Sequence, residues 1–255
     1  MDFKQDTIGD ILDSEREMVL KGGERYGKFF VNASNFNIFL QEFLKSIDPD
    51  RFIFAAFLSQ VRKHHTLALF SVIRLHHTQA TMDMRQVLEA GACAAYAIAH
   101  TEVKEFADVD ANGILNPSDE LTKKRYKWLE ENYQTGSNSI KGMKNSINIS
   151  SAHSNIVYAH TNFRYDKTAV QFETPFFDFE DEYMIKNDLW MVGNVAMGLM
   201  DLFYGVNKER DVIKFVDDFI PRLKSLEKDN NVLKSELMSH PRFKRKIDGT
   251  SANTG

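Results

Sequence analysis

The chain has 255 residues, of which 43% are hydrophobic and 27% charged, with a formal net charge of −4. That length can bury a core without covalent staples, and the charge balance excludes a global basic field of the kind that draws a protein onto nucleic acid. The single cysteine, Cys93, excludes an intramolecular disulfide framework and, set in an apolar run, reads as a small hydrophobe in a reducing compartment.

The first ten residues, MDFKQDTIGD, are acidic and polar, unlike a secretory signal. No window reaches the roughly 18 uninterrupted apolar residues of a membrane span. The longest candidates, residues 90–99 and 189–204, are short or interrupted by Asn194 and Asp201, and read as core helices. The expected location is the cytoplasm, with no membrane partner.

Residues 8–20 carry Ile8, Ile11, Leu12, Met18 and Val19 among charges, a weak helical pattern that Gly22 and Gly23 close. Residues 34–47 make a clearer amphipathic helix through Phe36, Ile38, Phe39, Phe43 and Leu44. Asp48 then offers an N-cap and Pro49 a first helical position. Neither proline nor glycine occurs between Asp50 and Glu89, and so long a single helix would be unusual, so two helices are expected to meet near residues 76–81.

Asn112-Gly113 and Asn116-Pro117 mark a surface connection. Over 118–133 the acids Asp119 and Glu120 precede Lys123, Lys124 and Arg125, the order a helix dipole favours. The stretch TGSNSIKGMKNS, 135–146, reads as a loop, followed over 146–163 by a helix rich in serine and histidine. Residues 168–172 alternate like a short strand, so at most one small β-hairpin is expected near 168–180, with the aromatic and acidic ETPFFDFEDEY beside it. Strongly apolar 182–204, amphipathic 209–226 with Pro221 bending or ending it, and 231–240 complete the helices. The expectation is a mainly α, multi-helix bundle: one helical domain over 1–247 and a flexible tail over 248–255.

Chemistry concentrates on two segments. On the helix TQATMDMRQVLEAGACAAYAIAH, the residues Thr78, Arg85, Glu89, Tyr96 and His100 share one stripe, flanked by Leu88, Ala90, Ala92, Ala95 and Ile98. Arg85 and Glu89 are expected to be held inside this buried helix, and so must be paired or hydrogen-bonded, because unpaired burial costs several kcal/mol. They either pair and hold the helix in register or form the polar centre of a site.

In ISSAHSNIVYAHTNFRY, His153 and His160 are seven residues apart, on one helical face and about 10 Å apart along the axis. One of them suits general acid–base work near neutral pH. Metal ligands on one helix usually sit three or four apart, and the chain has no HExxH or ExxH, so zincin and di-iron chemistry are disfavoured. His64, His65, His76 and His77 read as solvated or core histidines, and a metal site would need ligands from separate helices. A Gly-rich phosphate loop, GxSxG and paired CxxC are all missing, so no cofactor is expected.

Together, VIRLHHTQATMDMRQVLEAGACAAYAI and SAHSNIVYAHTNF resemble segments of uncharacterised bacterial helical proteins, which are in turn similar to the HEPN (higher eukaryotes and prokaryotes nucleotide-binding) superfamily. The resemblance covers about residues 52–164 and the helix that follows. It implies a HEPN-like helical fold and a ribonuclease-type activity in bacterial defence or stress. Active members carry an Arg, four to six residues, then a His on one helix. Here Asn155 and His160 match, but Ser154 stands in place of the Arg, which removes the cation that would stabilise phosphorane charge.

Two readings result. In the first, a HEPN-like protein acts on RNA or a nucleotide with Arg85, Glu89, His153 and His160 as its catalytic site. In the second, the chain is a non-enzymatic interaction module, a homodimer, with Arg85 and Glu89 structural and Phe176, Phe177 and Phe179 docking a protein partner. A metal held by histidines of different helices is a third alternative.

Overall fold

A computed structural model describes residues 7–150, 160–166 and 171–243. The fold is a mainly α, multi-helix bundle, and among the described residues strands occur only as small antiparallel pairs. Residues 244–255, including the expected tail, lie outside the described residues.

Helix α1, Ile8–Glu42, opens with a capping box in which Asp10 N donates to Thr7 Oγ1 at 3.2 Å and Thr7 N donates to Asp10 Oδ2 at 3.0 Å. It does not stop at Gly22 and Gly23. Gly22 instead serves close packing, since a Cβ there would sit 3.2 Å from the Phe30 ring. The break falls at Gly27, whose φ of 50° and ψ of −128° kink the helix.

The helix expected over 34–47 ends at Glu42, and Leu44–Ile47 (β1) pairs antiparallel with Ile213–Phe215 (β6). A short turn of 3-10 helix at Pro49–Arg51 leads into α2, Phe52–Ile73. Asp48 makes no side-chain cap bond there. Helix α3, His77–Ala99, begins just beyond a tight connection through Leu75 at φ 59°, so the anticipated break adjoins the expected 76–81 window. A hairpin of Asp108–Val109 (β2) and Leu115–Asn116 (β3) turns through Gly113 at φ 80°. Ser118 then caps α4, Asp119–Asn132.

The stretch expected to be a loop over 135–146 is helical, as part of α5, Gln134–Ser150. Its composition is poor in helix formers, but Ile140 and Ile147 are buried at helical spacing, and tertiary burial outweighs propensity. The expected helix over 146–163 does not run its full length: His160 lies in a turn, and Arg164–Asp166 (β4) pairs with Gln171–Glu173 (β5) in a hairpin that starts earlier than predicted. Residues 151–159 lie outside the described residues.

Helix α6, Glu182–Asn207, crosses α3 at Gly91, where a Cβ would lie 2.5 Å from Leu199. Among the described residues it alone is long and apolar enough to cross a membrane by length and composition, contrary to the expectation that it falls short, and 56% of that window is buried inside the fold.

The helix expected over 209–226 is also broken. Asn207 Oδ1 accepts from Val212 N at 3.0 Å and Ile213 N at 2.9 Å, while Nδ2 donates to Ile213 O at 2.9 Å, turning the chain into β6. A short apolar run satisfies either period, and here the edge of β1 selected the strand. Helix α7, Phe219–Ser239, holds Pro221 in its first turn, where proline is tolerated, and absorbs the separate helix expected over 231–240. Phe39, Phe43, Phe54, Phe203 and Phe219 meet in the core that α1, α2, α6 and α7 enclose.

Candidate functional site

Arg85 and Glu89 pair on α3, with Nε donating to Oε1 at 3.1 Å. Arg85 Nη1 also donates to Asn148 Oδ1 at 2.7 Å, and Lys144 Nζ lies 3.1 Å from Glu89 and donates to Tyr126 Oη at 2.9 Å. The group therefore ties α3 to α4 and α5. It is not sealed: the two side chains keep 29% and 35% of their exposure, which corrects the expectation of charges held inside a buried helix. Burial pushes the Glu89 carboxyl up, but Lys144 and Arg85 outweigh it and hold the group below its ordinary value.

The buried acids of the described fold lie elsewhere. Asp188, on α6, has a side chain only 8% exposed and forms a short hydrogen bond with His77 Nδ1 at the start of α3. The imidazole donating from Nδ1 to a carboxylate leaves Nε2 as its basic nitrogen. Asp178 anchors the same corner. It accepts from His77 N at 2.7 Å and from Thr161 Oγ1 at 2.7 Å, while its own N–H donates to Leu75 O at 2.9 Å. A carboxylate on the first N–H of a helix suits the helix dipole, so the connection between α2 and α3 is fixed where His77 must be held.

His77 and Asp188 form part of the wall of a cavity of about 410 Å³ that also includes His160, Thr161, Arg164, Asp178 and Arg242. His160 is exposed and packs against Phe163 with ring centroids 6.0 Å apart. The guanidinium of Arg164 lies 3.7 Å from the Phe179 ring centroid, and among the described residues it has no carboxylate partner. The acids on the same rim are compensated: Glu180 bonds Arg25 at 2.5 Å and Tyr26 Oη at 3.2 Å, and Asp181 pairs with Arg242. A second cavity, of about 290 Å³, shares His77, Met184 and Asp188 with the first.

Of the four residues expected to form the site, His160 lines the larger cavity, whereas Arg85 and Glu89 are engaged with Lys144 and Asn148 and line neither cavity. His153 falls outside the described residues. Phe176 is 50% exposed, but Phe177 packs on His76 and Phe179 lies beneath Arg164, so one of the three phenylalanines stands out as an open surface.

The remaining histidines divide. His65 is a core residue: Nδ1 accepts from Asn37 at 2.9 Å, Nε2 donates to Val192 O at 3.0 Å, and burial pulls its pKa down to about 4. His64 meets buried Asp83 at 2.8 Å, and His76 meets Glu15 at 3.0 Å. Among the described residues no group of three or more His, Cys, Asp or Glu side chains is arranged to hold a metal.

His77 and Asp188 were missed as a pair by sequence reasoning. Asp188 is a lone carboxylate immediately before the apolar run Leu189-Trp190-Met191-Val192, the same anomaly that drew notice to Arg85 and Glu89. Comparisons with protein-family models, curated proteins and solved structures return no match, so the functional reading rests on this geometry.

Proposed function

We propose that the protein acts on RNA or a nucleotide at the cavity beside His77, by general acid–base catalysis on a phosphodiester, the class of activity that the HEPN resemblance implies. One observation carries this reading: an imidazole oriented by a buried carboxylate shares a cavity with a second histidine and an arginine that has no carboxylate partner among the described residues. Asp188 holds the imidazole ring in one orientation and so keeps its basic nitrogen in place.

In the proposed step His77 takes the proton of a ribose 2′-hydroxyl, the 2′-oxygen forms a bond to phosphorus, and the P–O5′ bond breaks. His160 gives its proton to the departing 5′-oxygen, and the product is a 2′,3′-cyclic phosphate. Arg164 takes the charge-stabilising part that the substitution at Ser154 leaves open, supported by its position over Phe179 on the same wall. No redox change and no metal enters the balance.

A fluorescent RNA oligonucleotide incubated with the full chain in excess EDTA tests this. Cleavage to cyclic-phosphate ends is expected, with His77→Ala and His160→Ala each slowing it by roughly 10²–10⁴-fold, the usual range for a lost acid or base. Cleavage at wild-type rate in both variants, or none by the wild type, overturns the reading.

A further inference from the structure

The His77–Asp188 pair belongs to the walls of two chambers that differ in chemistry. The larger is charged. The smaller, about 290 Å³, lies between α3, α5 and α6, and four methionines line it: Met84 from α3, Met143 from α5, Met184 and Met191 from α6. Met184, Asn187, Asp188 and Met191 stand at i, i+3, i+4 and i+7, so one face of α6 presents the thioethers, the amide and the dyad acid together.

Thioether walls are soft and polarisable and make favourable contacts with aromatic rings. Asn187 adds specificity. It is half-buried, lines the chamber one residue before Asp188, and has no hydrogen-bond partner among the described residues. Its amide sets an acceptor and two donors side by side, the complement of a base edge with adjacent donor and acceptor groups. An alkyl chain in this chamber would leave that amide unpaired. The volume lies at the lower end of ligand pockets, which start near ~300 Å³, and so matches one ring system rather than an oligonucleotide.

We propose that this chamber is a nucleobase subsite, the base held between methionine side chains and read by the Asn187 amide. The inference rests on the nucleotide reading above and deepens it. A base here and a phosphate at Arg164 set the intervening ribose against His77, where its 2′-hydroxyl must lie for proton transfer.

Calorimetric titration of the full chain with 5′-AMP, ribose 5-phosphate and decyl phosphate provides the test. AMP is expected to bind at least tenfold more tightly than ribose 5-phosphate. Asn187→Leu should remove that preference and leave ribose 5-phosphate affinity within about twofold. A second measurement needs no variant: in methyl-labelled wild type, the Met84, Met143, Met184 and Met191 resonances should move with AMP and stay in place with ribose 5-phosphate. Equal affinities for AMP and ribose 5-phosphate overturn the base subsite while leaving the phosphate site standing. Decyl phosphate binding more tightly than AMP overturns it in favour of an acyl chamber. An AMP preference without RNA cleavage supports the subsite and sinks the catalytic reading, and failure of all three ligands to bind sinks both.

Discussion

His77, the first residue of α3, and Asp188, in the second turn of α6, are 111 positions apart and hydrogen-bonded to each other. Each side chain is polar at the edge of an apolar helix, and the hydrogen bond between them joins the two helices. The acid holds the ring, and the Asp178 carboxylate holds the backbone that carries it.

Asp188→Asn should therefore separate orientation from packing. The amide keeps the volume of the acid but donates to Nδ1, so the imidazole carries its proton on the wrong nitrogen. A loss of roughly 10²–10⁴-fold in kcat/KM on RNA is expected, by the logic of an orienting acid beside a catalytic histidine. The thermal midpoint should move by only a few degrees. A large fall in stability with unchanged kcat/KM would make the pair purely structural.

Arg85→Ala should be mild. A half-exposed pair contributes at most about 1 kcal/mol, whereas breaking a sealed one costs about 3–5 kcal/mol. Lys144 remains to serve Glu89 after the change. Thermal melting decides between them: a shift of only a few degrees fits the observed exposure, and a collapse of the fold would restore the buried ion pair that the helix pattern suggested.

His65 should impose an acid limit on stability. Its folded pKa of about 4 lies below the ordinary value of 6.5, so the unfolded chain binds the extra proton first as pH falls. Stability due to this site is intact above about 6.5, declines through the window down to about 4, and can amount to about 3 kcal/mol. Urea unfolding at pH 7.5, 5.5 and 4.5 should show this decline, and His65→Gln should flatten it. An equal slope in the variant would assign the acid sensitivity to other groups.

Much of the architecture is legible from periodicity. The apolar faces of α2, α3 and α6 recur every three or four residues, and Asn112-Gly113 marks its own turn. The misreadings share one cause, that local composition does not know what will cover it. The glycine- and serine-rich 135–146 becomes helix because Ile140 and Ile147 find a core, and 213–215 becomes strand because β1 offers an edge.

By itself the sequence determined the helical class and the Arg85–Glu89 pairing, because both depend on neighbours within about one helical turn. It also singled out His160. Only tertiary structure decided that Arg85 and Glu89 stay half-exposed, that Asp188 reaches His77, and that Met84, Met143 and Met191 line one chamber. Those relations join side chains on separate helices, and their geometry is set by how the helices pack. A close crossing such as Gly91 against Leu199 brings such faces together, and no spacing along the chain encodes it.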